Sequence, residues 1–187
     1  MIHLKLVIIA FIVLVVIFIG THALKFPGTI SYLMEITQGQ NTLDLQASFS
    51  SAETYGRLEA FGEIGRQMYM RTMLTVDLIF PLSMALFLFL FATYTWQRLE
   101  MKPMVGRSIK SLSIAYLILD FLENSTIFFL LLRFPDRLEF LGSYIGYLTI
   151  GKRIATYGAI FIPMALLVSA KVYSMLQTKS KKDCYLN

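Results

Sequence analysis

Cysteine, histidine and charge are all scarce in this sequence, and each scarcity closes off a class of function. The single cysteine, Cys184, excludes an intramolecular disulfide and a thiolate metal centre. The two histidines, His3 and His22, stand on either side of an apolar run without ligand spacing, so no metal site is expected from them. No P-loop, GxSxG elbow, HExxH or dinucleotide fingerprint occurs, and no cofactor is expected. Charged residues make up 16% of the chain, against about 25% in soluble domains. The net charge of +5 is not gathered into a basic stripe or an aromatic-interleaved motif, which excludes a nucleic-acid partner and leaves anionic membrane lipids as the expected one.

Apolar residues are abundant: 56% of the 187 positions, with a mean hydropathy of +0.63. A soluble core of this size could not hide so much Leu, Ile, Phe and Val. A bilayer solvates it directly if each run reaches roughly 20 residues. Four runs do, and the sequence predicts a single all-α membrane domain over residues 1–187, a transmembrane four-helix bundle with spans near 4–24, 73–96, 109–132 and 142–175. The first run has two readings. It is either a retained helix or a cleavable signal peptide, with Lys5 before the apolar stretch and the small-residue end Thr21-His22-Ala23 after it. The fourth run is longer than one bilayer thickness and must tilt or project.

The connection 25–72 is too short and too poor in apolar residues for a separate domain. Its second half predicts an amphipathic helix. Ser50 and Glu53 have capping-box spacing, Glu53 and Arg57 stand at i, i+4, and Tyr55, Leu58, Phe61, Gly65, Met68 and Tyr69 recur at helical intervals. Such a helix lies on the membrane surface, closes over the bundle, or simply packs as a connector. Orientation follows from Arg98, Lys102, Arg107 and Lys110 after the second span and Lys171, Lys179, Lys181 and Lys182 near the C-terminus, whereas Asp136 and Glu139 balance the loop after the third span. The expectation is a multi-pass cell-membrane protein with both termini and the basic tail 176–187 cytoplasmic, and the 25–72 connection outside.

The informative residues are charges at depths where charge is costly. Asp120, Glu123 and Asn124 stand at i, i+3 and i+4 and share a helix face. A central carboxylate costs about 2.5–3.5 kcal/mol on insertion scales, so that face points into the bundle, stays protonated or meets a cation. Lys152 and Arg153 on the fourth helix are at matching depth, and Lys152 is the expected inward partner. Thr149 and Thr156 share its face, and Tyr157 shares that of Arg153. Asp77 lies about a turn inside the outer end of the second helix, with Arg71 near the boundary. The expected pocket, in the outer half of the bilayer, is Asp77, Asp120, Glu123, Asn124 and Lys152, with Arg71, Arg153 and Tyr157 at its rim. The bland alternative is an ion-pair knot that sets helix register.

Three weaker signals carry little. The sequon Asn124-Ser125-Thr126 falls inside a span and is out of reach of glycosylation. Gly142 and Gly146 form a small-xxx-small pair for close helix approach, within the bundle or in a dimer. The ending Cys184-Tyr185-Leu186-Asn187 has the length of a prenylation box but not its residue types.

Taken together, Arg71 with Asp77-Leu78-Ile79-Phe80-Pro81-Leu82, then Asp120-Phe121-Leu122-Glu123-Asn124, Arg133-Phe134-Pro135-Asp136 and Thr149-Ile150-Gly151-Lys152 resemble a family of small, largely bacterial four-span membrane proteins with no known activity. The resemblance covers roughly residues 53 to 170, and Arg153 follows where that family's pattern has an aromatic residue. It implies a fold and no chemistry. Three functions fit the residues: a pocket that binds a ligand such as a hydrophobic small molecule or handles protons; an enzyme acting on a lipid or isoprenoid with Asp120 or Glu123 as general acid or base; and a structural or assembly subunit.

Overall fold

The computed structural model describes residues 2–185, with side chains through Gln177. Lys179, Lys181, Lys182 and Cys184, on which the basic tail and the prenylation-like ending rest, lie outside the described side chains. Among the described residues there are six α-helices and no strand: α1 (Leu4–Phe18), α2 (Ile30–Ile36), α3 (Ser51–Ala60), α4 (Gly62–Arg98), α5 (Pro103–Arg133) and α6 (Glu139–Tyr185). A wider turn, Ile19–Ala23, extends α1.

Four of these segments are long and apolar enough to cross a membrane: Leu4–Ala23, Gly62–Arg98, Pro103–Arg133 and Glu139–Gln177. The shortest has 20 residues, which at 1.5 Å per residue gives about 30 Å, the thickness of the hydrocarbon layer. Their outward side chains, including Ile12, Val16, Leu86, Leu122 and Ile154, are apolar and exposed, the reverse of a soluble surface. The chain is thus a multi-pass integral membrane protein built as a helical bundle.

Two apolar clusters fill the interior. One joins Met73 of α4, Ile127 and Leu130 of α5, and Ile145 and Leu148 of α6 to Leu33, Leu43, Tyr55 and Leu58 of the connection. The other joins Ala85 and Leu88 of α4, Tyr116 of α5, and Ala155 and Ala159 of α6. On every one of these three helices the intramembrane charges fall between the two clusters: Asp77 between Met73 and Ala85, Asp120 and Glu123 between Tyr116 and Ile127, Lys152 between Leu148 and Ala155. The polar layer is sandwiched between apolar ones.

α1 packs along α4 through Phe11 on Phe87 and Phe18 on Phe80, at 5.4 and 5.9 Å between ring centroids. At its start the Ile2 N–H donates to Gln97 Oε1 at 2.6 Å, which puts the N-terminus beside the end of α4. Leu4, Arg98 and Lys171 line one cavity at this same end. The connection covers the opposite end.

The amphipathic segment is two helices rather than one. Gly62 takes a φ of +64°, a conformation without steric penalty only for glycine, and the chain breaks there. Gly65, Met68 and Tyr69 consequently belong to α4. Ser50 caps α3 as expected, its hydroxyl accepting the Glu53 N–H at 3.2 Å. The expected Glu53–Arg57 pair does not form. Arg57 turns back over the preceding segment and donates to the carbonyls of Gln46, Asn41 and Thr42 and to Ser48 Oγ, at 2.5 to 2.9 Å. These carbonyls belong to no helix, and a five-donor guanidinium serves several at once. Burial pushes the Arg57 guanidinium below its usual range, with Tyr69, Glu53 and Asp44 opposing.

α3 closes over the bundle end and does not lie apart from it. Tyr55 and Leu58 are fully buried, and the Thr54 hydroxyl donates to the Gly142 carbonyl of α6 at 2.7 Å. The Gly142–Gly146 pair is where this happens. A Cβ on Gly146 would stand 2.3 Å from the Ser48 carbonyl, and one on Gly142 would stand 3.1 Å from Ser51 Oγ. The small residues admit the connection rather than another spanning helix.

Candidate functional site

Proline sets the first element of the site. Pro81 has no N–H, so the carbonyl four residues earlier in α4, that of Asp77, loses its helical partner. Asn124 of α5 replaces it, its Nδ2 donating to the Asp77 carbonyl at 3.3 Å and to Asp120 Oδ2 at 3.0 Å. One amide therefore ties α4 to α5 and orients a carboxylate. The same contacts account for Asn124 in structural terms, and its sequon lies inside α5.

Lys152 of α6 lies between the two carboxylates of α5. Its Nζ is 3.1 Å from Asp120 Oδ1 and is in ion-pair contact with Glu123 Oε2. Glu123 is fully enclosed, and its other oxygen accepts the Thr149 hydroxyl. Asp120 is 4% exposed. In so dry a setting each charge depends on its partners, and removing one partner of such a group is costly. Thr149 thus serves Glu123, while the Thr156 hydroxyl donates to the Lys152 carbonyl at 2.8 Å.

Asp77 is different. Its Oδ2 is buried and has no hydrogen-bond partner, and its carboxylate has no ion pair among the described residues. It lines a cavity of about 640 Å³ together with Asp120, Asn124 and Lys152. Aromatic and apolar side chains form much of the remaining wall: Phe18 of α1, Phe80 and Met84 of α4, Tyr116 of α5, Tyr157 and Ile160 of α6. Asp77 and Asn124 also line a separate lipid-side groove of about 310 Å³ between α4 and α5. They form the partition between the two spaces.

No known protein family, curated protein or solved structure matches the chain.

Of the pocket residues expected from sequence, Asp77, Asp120, Asn124 and Lys152 line the cavity and Glu123 lies behind Lys152. Tyr157 and Arg153 line it as well. Arg153 donates to the carbonyls of Asp44 and Leu45 at 3.3 and 2.6 Å, and so holds that segment in the cavity wall. Arg71 is exposed on α4 and is not part of this wall. His22, Asp44 and Tyr116 join the cavity without having been singled out for it. Asp44 has no helical periodicity to mark it. Its place is set by Tyr69, whose hydroxyl donates to Asp44 Oδ1 and accepts the Leu43 N–H, both at 3.0 Å. His22 lies against Phe80, ring centroids 5.0 Å apart.

Proposed function

We propose that this chain binds a small ligand in an acid-lined cavity within the membrane. The observation that carries this is Asp77: Lys152 is matched by Asp120 and Glu123, and a third carboxylate in the same cavity is left without a cation. A knot that only fixed helix register would need no such surplus. The candidate acid/base pair of an enzyme is less well served, since Asp120 and Glu123 are each held by their own partners. Proton passage across the membrane is also less well served, because the apolar cluster of Ala85, Leu88, Ala155 and Ala159 lies between the polar layer and the far end of the bundle.

We place the cavity in the outer half of a cell membrane, with both termini cytoplasmic. Support comes from the end that carries Lys5, Arg98, Lys102, Arg107, Lys110 and Lys171, against the mixed charges of the opposite end, where Lys25 pairs with Glu35 at 3.1 Å. In this reading α1 is retained.

Native mass spectrometry of the gently solubilised full chain tests the function. A co-purifying small molecule or lipid should be held by the wild type and lost from Asp77→Asn. Bare protein from both, with equal melting temperatures, would overturn the reading and favour packing alone.

A further inference from the structure

We infer that the ligand of this cavity is a hydrophobic ammonium compound, an amine or quaternary ammonium on an apolar body, whose cation meets Asp77. The inference rests on the binding function proposed above and adds its chemical class.

Charge is the first ground. Asp44, Asp77 and Asp120 line the cavity and Glu123 stands behind them; the bases are Lys152 and Arg153. Lys152 is not available to an anion, and Arg153 is partly committed. Lys152 is in contact with both α5 carboxylates, and the Arg153 Nη2 is engaged by two backbone carbonyls. The acids, in contrast, have capacity left over. Among the described residues Asp77 Oδ2 is buried without a hydrogen bond, the Asp77 carboxylate has no ion pair, and Asp44 accepts only from the Tyr69 hydroxyl. A carboxylate buried without a partner costs free energy that a cation arriving with its own charge offsets.

The wall is the second ground. Phe18, Phe80, Tyr116 and Tyr157 line the same cavity as the acids, and the negative faces of aromatic rings attract ammonium groups, most strongly when water is excluded. Together with Met84, Pro81 and Ile160 they suit an apolar body, and about 640 Å³ is within the usual range for a small-molecule site. A metal ion fits less well. Among the described residues no group of three or more His, Cys, Asp or Glu is arranged to hold one. The ammonium can belong to a free amphiphile or to the headgroup of a bilayer lipid; the chemistry at Asp77 is the same.

The experiment uses the full chain in a nonionic maltoside detergent, with binding read by native mass spectrometry and thermal shift at probe concentrations below micelle formation. Five probes are compared: dodecyltrimethylammonium, dodecanol, dodecyl sulfate, phosphatidylethanolamine and phosphatidylglycerol. The ammonium probe should bind and raise the melting temperature, and dodecanol and dodecyl sulfate should not. Asp77→Asn should weaken ammonium binding roughly tenfold or more, Asp77→Glu should retain most of it, and the lipid-facing Leu122→Ala should leave it unchanged. Selective retention of phosphatidylethanolamine over phosphatidylglycerol would put the ammonium on a lipid; binding of dodecyltrimethylammonium alone would put it on a free amphiphile. Dodecanol binding as tightly as the ammonium probe, or a folded Asp77→Asn with undiminished ammonium affinity, would overturn the cationic class and leave the binding function standing. If no probe of any charge bound, the binding function itself would fall.

Discussion

A lysine held between two carboxylates inside a membrane is favourable only as a set. Lys152→Met leaves Asp120 and Glu123 with no cation, and melting of the purified chain in detergent should show a loss of about 3–5 kcal/mol. Adding Asp120→Asn and Glu123→Gln to that variant removes the stranded charges, and most of the loss should be recovered. Asn124 is tied to Pro81 in a different way. In Pro81→Ala the restored N–H can donate to the Asp77 carbonyl, so Asn124→Ala should be less damaging in that background than alone. A double-mutant cycle should give a coupling between them of about 0.5–3 kcal/mol, the range for residues that share a partner. Strict additivity would mean that Asn124 acts only through Asp120.

Helices set the depth of the charges, and the connection sets what covers them. The pair Gly142 and Gly146 lets Ser48 to Ser51 rest directly on α6, and Arg57 gathers the carbonyls before it into one compact turn. Gly146→Val drives a side chain into the Ser48 carbonyl and should cost about 1–3 kcal/mol, as overpacking does. Limited proteolysis should then cut between residues 41 and 48 faster than in the wild type. Equal cleavage rates would mean that the connection is held chiefly by Tyr55 and Leu58. Periodicity showed the α3 face in advance, because Tyr55 and Leu58 recur at helical spacing. It could not show the break at Gly62, since a glycine is tolerated within a helix as well as at its end. Nor could it show Arg57 leaving Glu53 for backbone carbonyls, a choice made by unsatisfied groups that exist only once the segment has folded back.

For the whole molecule, the four spans and the shared face of Asp120, Glu123 and Asn124 were legible because a bilayer makes length and polarity unambiguous. Asp44 and His22 were not, because they reach the cavity through folding of the connection and docking of α1 rather than through any repeat. The single crossing by α4 places Met104 on the opposite side from Gln40 in the connection, and the two crossings by α1 and α4 return it to the side of Ile2. In a Cys184→Ser background, membrane-impermeant labelling of Met104→Cys and Gln40→Cys should therefore occur from opposite faces, and Ile2→Cys should share the face of Met104. Labelling of Met104→Cys and Gln40→Cys from one face would break the four-span arrangement. An Ile2→Cys chain whose label never appears in the mature protein would mean that the first helix is removed.

That last outcome bears directly on what the cavity can hold. Phe18 and His22 come from the first helix and its terminal turn, and they are the part of the wall attached mainly by ring contacts with α4. A chain cut after Ala23 would keep every carboxylate and Lys152 but would lose that side, and a partly open chamber would become a trough facing the acyl chains. The girth of a guest would then cease to be a criterion for admission, and only its charge would be.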